Sequence, residues 1–312
     1  MPNWIEILSK IQQTSAEHQF RANNAISSVR HEYLEKLHRR TGRNIIAYYS
    51  GFLSKQVSGT EINDEDKNGF MMVVHKMERS KGLDLILHTP GGGLSSTQSI
   101  IDYLHKMFDR NVRTIVPQIA MSAGTMIACS SKEIWMGKHS NLGPIDPQFS
   151  GMPAYGVLQE FKNACKEIKQ DPSKTPLWQT IIGQYPPTFL SRCQNAIDLS
   201  KEFVEAQLTE VMFHKDPNGK RKAKAIVRAL SHYTKNKTHD RHIHIDECKR
   251  LGLKVKSLED DKEYIQDIET LGDFQDLVLT VHHCYMHTMM NTPAFKIIEN
   301  HLGAGLCKNI SN

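Results

Sequence analysis

Apolar positions along the chain change their spacing several times, and the changes mark out alternating strands and helices. In residues 1–40, Trp4, Ile5, Leu8 and Ile11 fall at helical spacing and the charged stretch HEYLEKLHRR comes later, so this segment reads as helix. Thr41, Gly42 and Arg43 break that pattern, and NIIAYYSGFL then reads as a strand. In EINDEDKNGFMMVVHKMERSKG, Asn63 and Asp64 suit a helix start, acids follow in the first turn, and Gly82 suits a stop. LDLILH is a strand, TPGGG a turn, and Ser95 to Phe108 a helix. NVRTIVPQIA reads as a further strand, MSAGTMIACSS as a short helix of small and apolar residues, and EIWMG as another strand. Such alternation predicts a mostly parallel, right-handed arrangement with helices packed on the sheet.

Residues 140–153, SNLGPIDPQFSGMP, are rich in Gly, Pro and Asn and predict an ordered loop. Beyond it the periodicity is mainly helical, over 154–170, 186–213, 219–232 and 262–289. Between the last two, HIHIDECKRLGLKV reads as strand, helix and strand. No internal repeat or low-complexity tract interrupts the chain.

Composition narrows the class mostly by exclusion. With 312 residues, 39% apolar and 23% charged, the chain is an ordinary globular mixture able to bury a substantial core. No apolar run approaches the ~18 residues of a membrane helix, and MPNWIEILSKIQQ lacks a signal-peptide core. A cytoplasmic protein is expected, with its six scattered cysteines as free thiols. The net charge of +5 permits an acidic partner without demanding one. KRKAKAIVR has no interleaved aromatics, so a nucleic-acid partner is not expected.

Two short segments carry candidate chemistry. HTPGGG, His88 to Gly93, follows a strand, and its consecutive glycines leave backbone N–H groups uncovered. Such groups can stabilise a developing oxyanion. Alone the turn would read as a plain strand-to-helix connection. It is not a phosphate loop, because Leu94, Ser95 and Ser96 follow where a lysine would be needed. AMSAGT, Ala120 to Thr125, stands after a strand and opens a helix. Ser122 there meets the free N–H groups and positive end of the helix, and alone it would read as a helix cap. It is not the GxSxG elbow of α/β-hydrolases.

ILHTPGGG, VPQIAMSAGTMIA and LGPIDPQ together resemble the cytoplasmic SDH-type (serine dehydrogenase proteinase) family of Clp-fold serine proteases, in the Clp/crotonase superfamily. THDRHIHIDECKRLGLKV resembles the family's late segment, and the likeness spans roughly residues 43–256. It implies an α/β, Clp/crotonase-like core, a parallel sheet with flanking helices, over 43–256. A helical arm over 1–42 and a helical extension over 257–312 would flank it and serve homo-oligomerisation. It implies a serine endopeptidase acting on peptide or protein substrates without a metal or other cofactor. Ser122 would be the nucleophile, and the N–H groups of Gly92 or Gly93 with that of Ala123 the oxyanion hole.

The proton acceptor is less legible. Clp proteases carry a histidine in the loop after the strand that follows the nucleophile helix; SNLGPIDPQF has none, and His139 stands several residues early. Asp240 fits the position of the Clp triad aspartate, and its neighbour His239 is a substitute base. The other option is a Ser-Lys dyad, whose lysine must be desolvated to lose its proton. Among Lys162, Lys166, Lys169 and Lys174, Lys174 ranks first, because prolines and a tryptophan flank it. Rival readings are a scaffold or regulatory protein that has lost its base, and a crotonase-type acyl-CoA enzyme. His283 and His287 stand at i, i+4, a spacing that can hold zinc, but without the glutamate of an HExxH site. The methionines from Met286 to Met290 suit a contact between subunits.

Overall fold

The computed structural model describes residues 9–10, 12–13, 22–231, 238–260 and 273–310. Most of the first 21 residues of the helix expected over 1–40, and the start of that expected over 262–289, lie outside the described residues. The elements in chain order begin with α1 (Ala22–Thr41), β1 (Asn44–Ser50), α2 (Asp66–Val74), β2 (Leu83–His88), α3 (Leu94–Phe108) and β3 (Val112–Val116). Then come β4 (Ile119–Ala120), α4 (Ala123–Cys129), β5 (Ile134–Met136), β6 (Asn141–Leu142), and the short pair β7 (Gln148–Phe149) and β8 (Met152–Pro153). Helices α5 (Ala154–Gln170), α6 (Thr175–Ile182), α7 (Phe189–Gln207) and α8 (Gly219–Leu230) follow. The chain closes with β9 (Ile243–His244), α9 (Ile245–Leu251), β10 (Val255–Ser257), α10 (Phe274–Asn291), β11 (Ala294–Asn300) and β12 (Gly305–Asn309).

Seven strands form one sheet in the order β10-β5-β3-β2-β1-β11-β12. The first five are mutually parallel, and β11 and β12 run antiparallel to their inner neighbours. Period-two packing covers both faces, which is why the central strands are almost uninterruptedly apolar. Ile46, Tyr48, Leu83, Leu85, Leu87, Val112 and Val116 share one core with α2, α3 and α4. Ile45, Ala47, Tyr49, Ile86, Ile115 and Trp135 share the other with α1 and α10. A third, smaller cluster joins α5 to α7 through Ala154, Val157, Phe189, Cys193 and Ile197.

Three elements differ from the periodicity. The strand read through NVRTIVPQIA breaks at Pro117, which has no N–H for a sheet ladder. After the break the chain leaves the main sheet, and β4 joins a small sheet in the order β4-β6-β9. The first helix after β1 ends at Val74, and Gly82 instead terminates a 3₁₀ turn over Arg79–Lys81, at φ +69°. Residues 257–312 hold more than helix: the β11–β12 hairpin extends the central sheet beside β1.

Among the described residues no helix is long and apolar enough to cross a membrane. All six cysteines are free thiols.

Candidate active site

The parallel strands end at one edge, and the chemistry gathers there, as open α/β sheets dictate. Thr89, just past β2, bridges to β4: its N–H donates to the Ile119 carbonyl at 3.2 Å, and its carbonyl accepts from Met121 N–H at 3.0 Å. This crossing places the glycine turn and the serine turn side by side. The contact tolerates no side chain on Gly91, where an added Cβ would lie 2.7 Å from the Ser122 Cβ and the backbone sits at φ +104°.

Ser122 is the residue between β4 and α4, with φ +51° and ψ −112°. A residue bearing a Cβ is strained there, and strain of this kind persists only where the surroundings enforce it. Thr125 supplies part of that enforcement: its hydroxyl accepts from Gly143 N–H at 2.9 Å and lies 3.0 Å from the Ala120 carbonyl. The turn is thus a tight strand-to-helix corner in conformation, although the sequence lacks the GxSxG pattern.

Ile62 lies against the glycine turn as a one-residue strand. Its N–H donates to the Gly91 carbonyl at 2.7 Å, and its carbonyl accepts from Gly93 N–H at 2.9 Å. The middle residue of such a bridge turns its own N–H away from the partner strand. Gly92 N–H and Ala123 N–H therefore have no partner among the described residues, whereas Gly93 N–H is already engaged. Of the two glycines read as oxyanion donors, only Gly92 keeps a free N–H.

A cavity of about 770 Å³ opens over these turns, and Gly92, Ser122, Phe149, Ser200, His239 and Asp240 are among the residues lining it. His239 lies in the stretch before β9, and its Nδ1 is 3.0 Å from Asp146 Oδ1. An ionised carboxylate only accepts, so Nδ1 carries the hydrogen and Nε2 is left as the basic nitrogen. Asp146 is buried and belongs to the LGPIDPQ loop; its Oδ2 accepts from Gln148 Nε2 at 2.8 Å. The Ser200 hydroxyl donates to the Ile145 carbonyl at 2.9 Å and ties that loop to α7.

Other expected site residues fall elsewhere. Asp240 does not partner His239. It is exposed, and a hydrogen bond from Thr238 is the main reason its carboxyl sits below the usual range. Lys174 does not line the cavity; it is exposed and pairs with Glu167 at 3.2 Å. Lys162, Lys166 and Lys169 are exposed on α5, so the burial on which a lysine base depends is missing at all four positions. His139 turns its Nε2 to the Pro117 carbonyl at 2.9 Å. Among the described residues no group of three or more His, Cys, Asp or Glu could hold a metal ion, and His287 packs within α10. Asp146, which the sequence did not single out, is the carboxylate that faces His239. It stands in LGPIDPQ, one of the segments that carry the family resemblance.

The fold and the serine corner define a ClpP-like α/β protein. The chain belongs to the family of ClpP-like SDH-type serine proteinases, whose model matches residues 19–271. It is similar to two uncharacterized proteins of Methanocaldococcus jannaschii. One is 32% identical over 195 residues, which is 62% of this chain and 60% of that protein. The other is 29% identical over 198 residues, 63% of this chain and 59% of that protein. The chain thus spans about three fifths of the length of these curated relatives.

Proposed function

We propose that this protein is a serine peptidase that cleaves peptide bonds through an acyl-enzyme on Ser122, with His239 as base and Asp146 as its orienting acid. The observation that carries the reading is the strained Ser122 corner, which opens on the same cavity as a histidine whose Nδ1 is held by a buried carboxylate. A serine hydroxyl needs a base to accept its proton. In this reading Ser122 Oγ attacks the substrate carbonyl carbon and its proton passes to His239 Nε2. Asp146 holds the ring in the required tautomer and stabilises the imidazolium. The carbonyl oxygen, now an anion, is taken up by Gly92 N–H and Ala123 N–H, which have no partner among the described residues to give up. Collapse expels the amine with the proton from Nε2, and a water molecule, deprotonated by the same nitrogen, hydrolyses the acyl-enzyme.

A fluorophosphonate probe tests this reading. Wild-type protein is expected to be labelled at Ser122 and to cleave an unfolded protein substrate, and Ser122→Ala to do neither. Wild-type protein that resists the probe would defeat the proposal.

A further inference from the structure

Lys296 stands on β11, within the hairpin and beyond the residues that the family model matches. Its side chain is 1% exposed, and its ammonium lies 2.9 and 3.0 Å from the two oxygens of Asp66, itself fully buried. The third donor position reaches the Glu61 backbone carbonyl at 2.8 Å. Asp66 gathers the rest of this turn: Tyr48 Oη donates to it at 2.8 Å and Asn63 N–H at 3.1 Å. Residues 61–66 are thus wound around one buried ion pair.

The residue after Glu61 is Ile62, whose N–H and carbonyl grip Gly91 and Gly93. Gly92 is in van der Waals conflict with anything larger, since a Cβ there would lie 2.3 Å from the Ile62 backbone. Ile62 therefore fixes where Gly92 sits, and the Glu61 carbonyl, in the same peptide unit as the Ile62 N–H, is held by Lys296. We infer that Lys296 is a positioning residue for the oxyanion site. It acts through Glu61 and Ile62 on the Gly92 N–H, and so makes the C-terminal hairpin part of the catalytic apparatus. This inference rests on the peptidase reading above. A charge-assisted hydrogen bond on a carbonyl is short and strong, and a displacement of about 1 Å at a reacting group can cost about 100-fold in rate.

The test compares the nucleophilic reactivity of Ser122, read as the second-order rate of its phosphonylation by a fluorophosphonate, together with kcat and KM for a p-nitrophenyl ester. Lys296→Met removes the grip on Glu61 but leaves the buried Asp66 charge with only the more distant Lys308 ammonium, 3.6 Å away. The paired variant Lys296→Met with Asp66→Asn removes both charges and leaves no unpaired ion. Arg113→Met is the control. It breaks the buried Arg113–Asp84 pair, 2.5 Å at its shortest, toward the opposite end of the strands. That end is about 16 Å from Thr89 at the rise of an extended chain. The paired variant is expected to lose about 10- to 100-fold in labelling rate and kcat, with KM within about twofold and the far-UV spectrum unchanged. The control is expected to lower the Tm while keeping the labelling rate within about twofold. The inference is overturned by a folded paired variant that labels at the wild-type rate, by a control that loses as much, or by both Lys296 variants failing to fold. An unlabelled wild type defeats the peptidase reading itself; a labelled wild type matched by the variant defeats only the role of Lys296.

Discussion

His239 and Asp146, 93 positions apart in the chain, meet at 3.0 Å between Nδ1 and Oδ1. The contact joins the stretch before β9 to the loop after β6, and antiparallel pairing of those two strands, Asn141 with His244 and Leu142 with Ile243, brings it about. The adjacent carboxylate of Asp240 is exposed, and its hydrogen bond comes from Thr238.

This geometry sets Asp146, which faces His239, apart from Asp240, the carboxylate that the sequence offered. Asp146→Asn should lower kcat by about 10³-fold or more, because an amide facing Nδ1 favours the wrong tautomer. Asp240→Asn should stay within about threefold of wild type. Steady-state hydrolysis of an ester substrate decides it, and the reverse order of effects would return the role to Asp240.

Ser122 holds φ +51° at a cost of about 1–3 kcal/mol, which glycine would not incur. Both Ser122→Ala and Ser122→Gly should be inactive, but only the glycine relieves the backbone. Urea unfolding should place Ser122→Gly above Ser122→Ala by about 1 kcal/mol. Equal midpoints would show that the corner carries no strain.

Acid should destabilise the fold well before most carboxylates titrate. Burial pushes His88 down to about 4, its ring held between the Ser50 carbonyl and the Gln118 side chain. Burial, with His38 stacked on the ring, pushes His301 to about 4 as well. In the unfolded chain a histidine takes its proton near pH 6.5. Between pH 6.5 and 4 the unfolded state therefore binds protons that the folded state refuses, so stability falls with falling pH across that window. His88 alone accounts for at most about 3 kcal/mol of this loss. Urea midpoints measured from pH 7.5 to 4 should decline along this course, and His88→Gln should flatten it.

Much of the fold could be read along the chain because its signals are local. The apolar runs NIIAYYS and LDLILH became β1 and β2, and the small-residue segment after Ser122 became α4. Pro117 was visible too, yet its consequence was not: losing one ladder hydrogen bond is local, but where the chain goes next depends on what lies beside it. The C-terminal hairpin was missed for a similar reason. AFKIIEN and GLCKN are short, and the burial of AFKIIEN comes from β1, some 250 positions earlier in the chain, while GLCKN is an edge strand beside AFKIIEN.

The sequence by itself determined where the serine corner and the glycine turn fall, since a serine among small residues and consecutive glycines after a strand are patterns of adjacent residues. Only the tertiary structure decided which partners those groups have. Ile62 takes Gly93 N–H and leaves Gly92 N–H free; Asp146 takes His239 Nδ1; Lys174 stays in solvent with Glu167. A hydrogen bond depends on distance in space, and residue spacing along a chain fixes that distance only within one element.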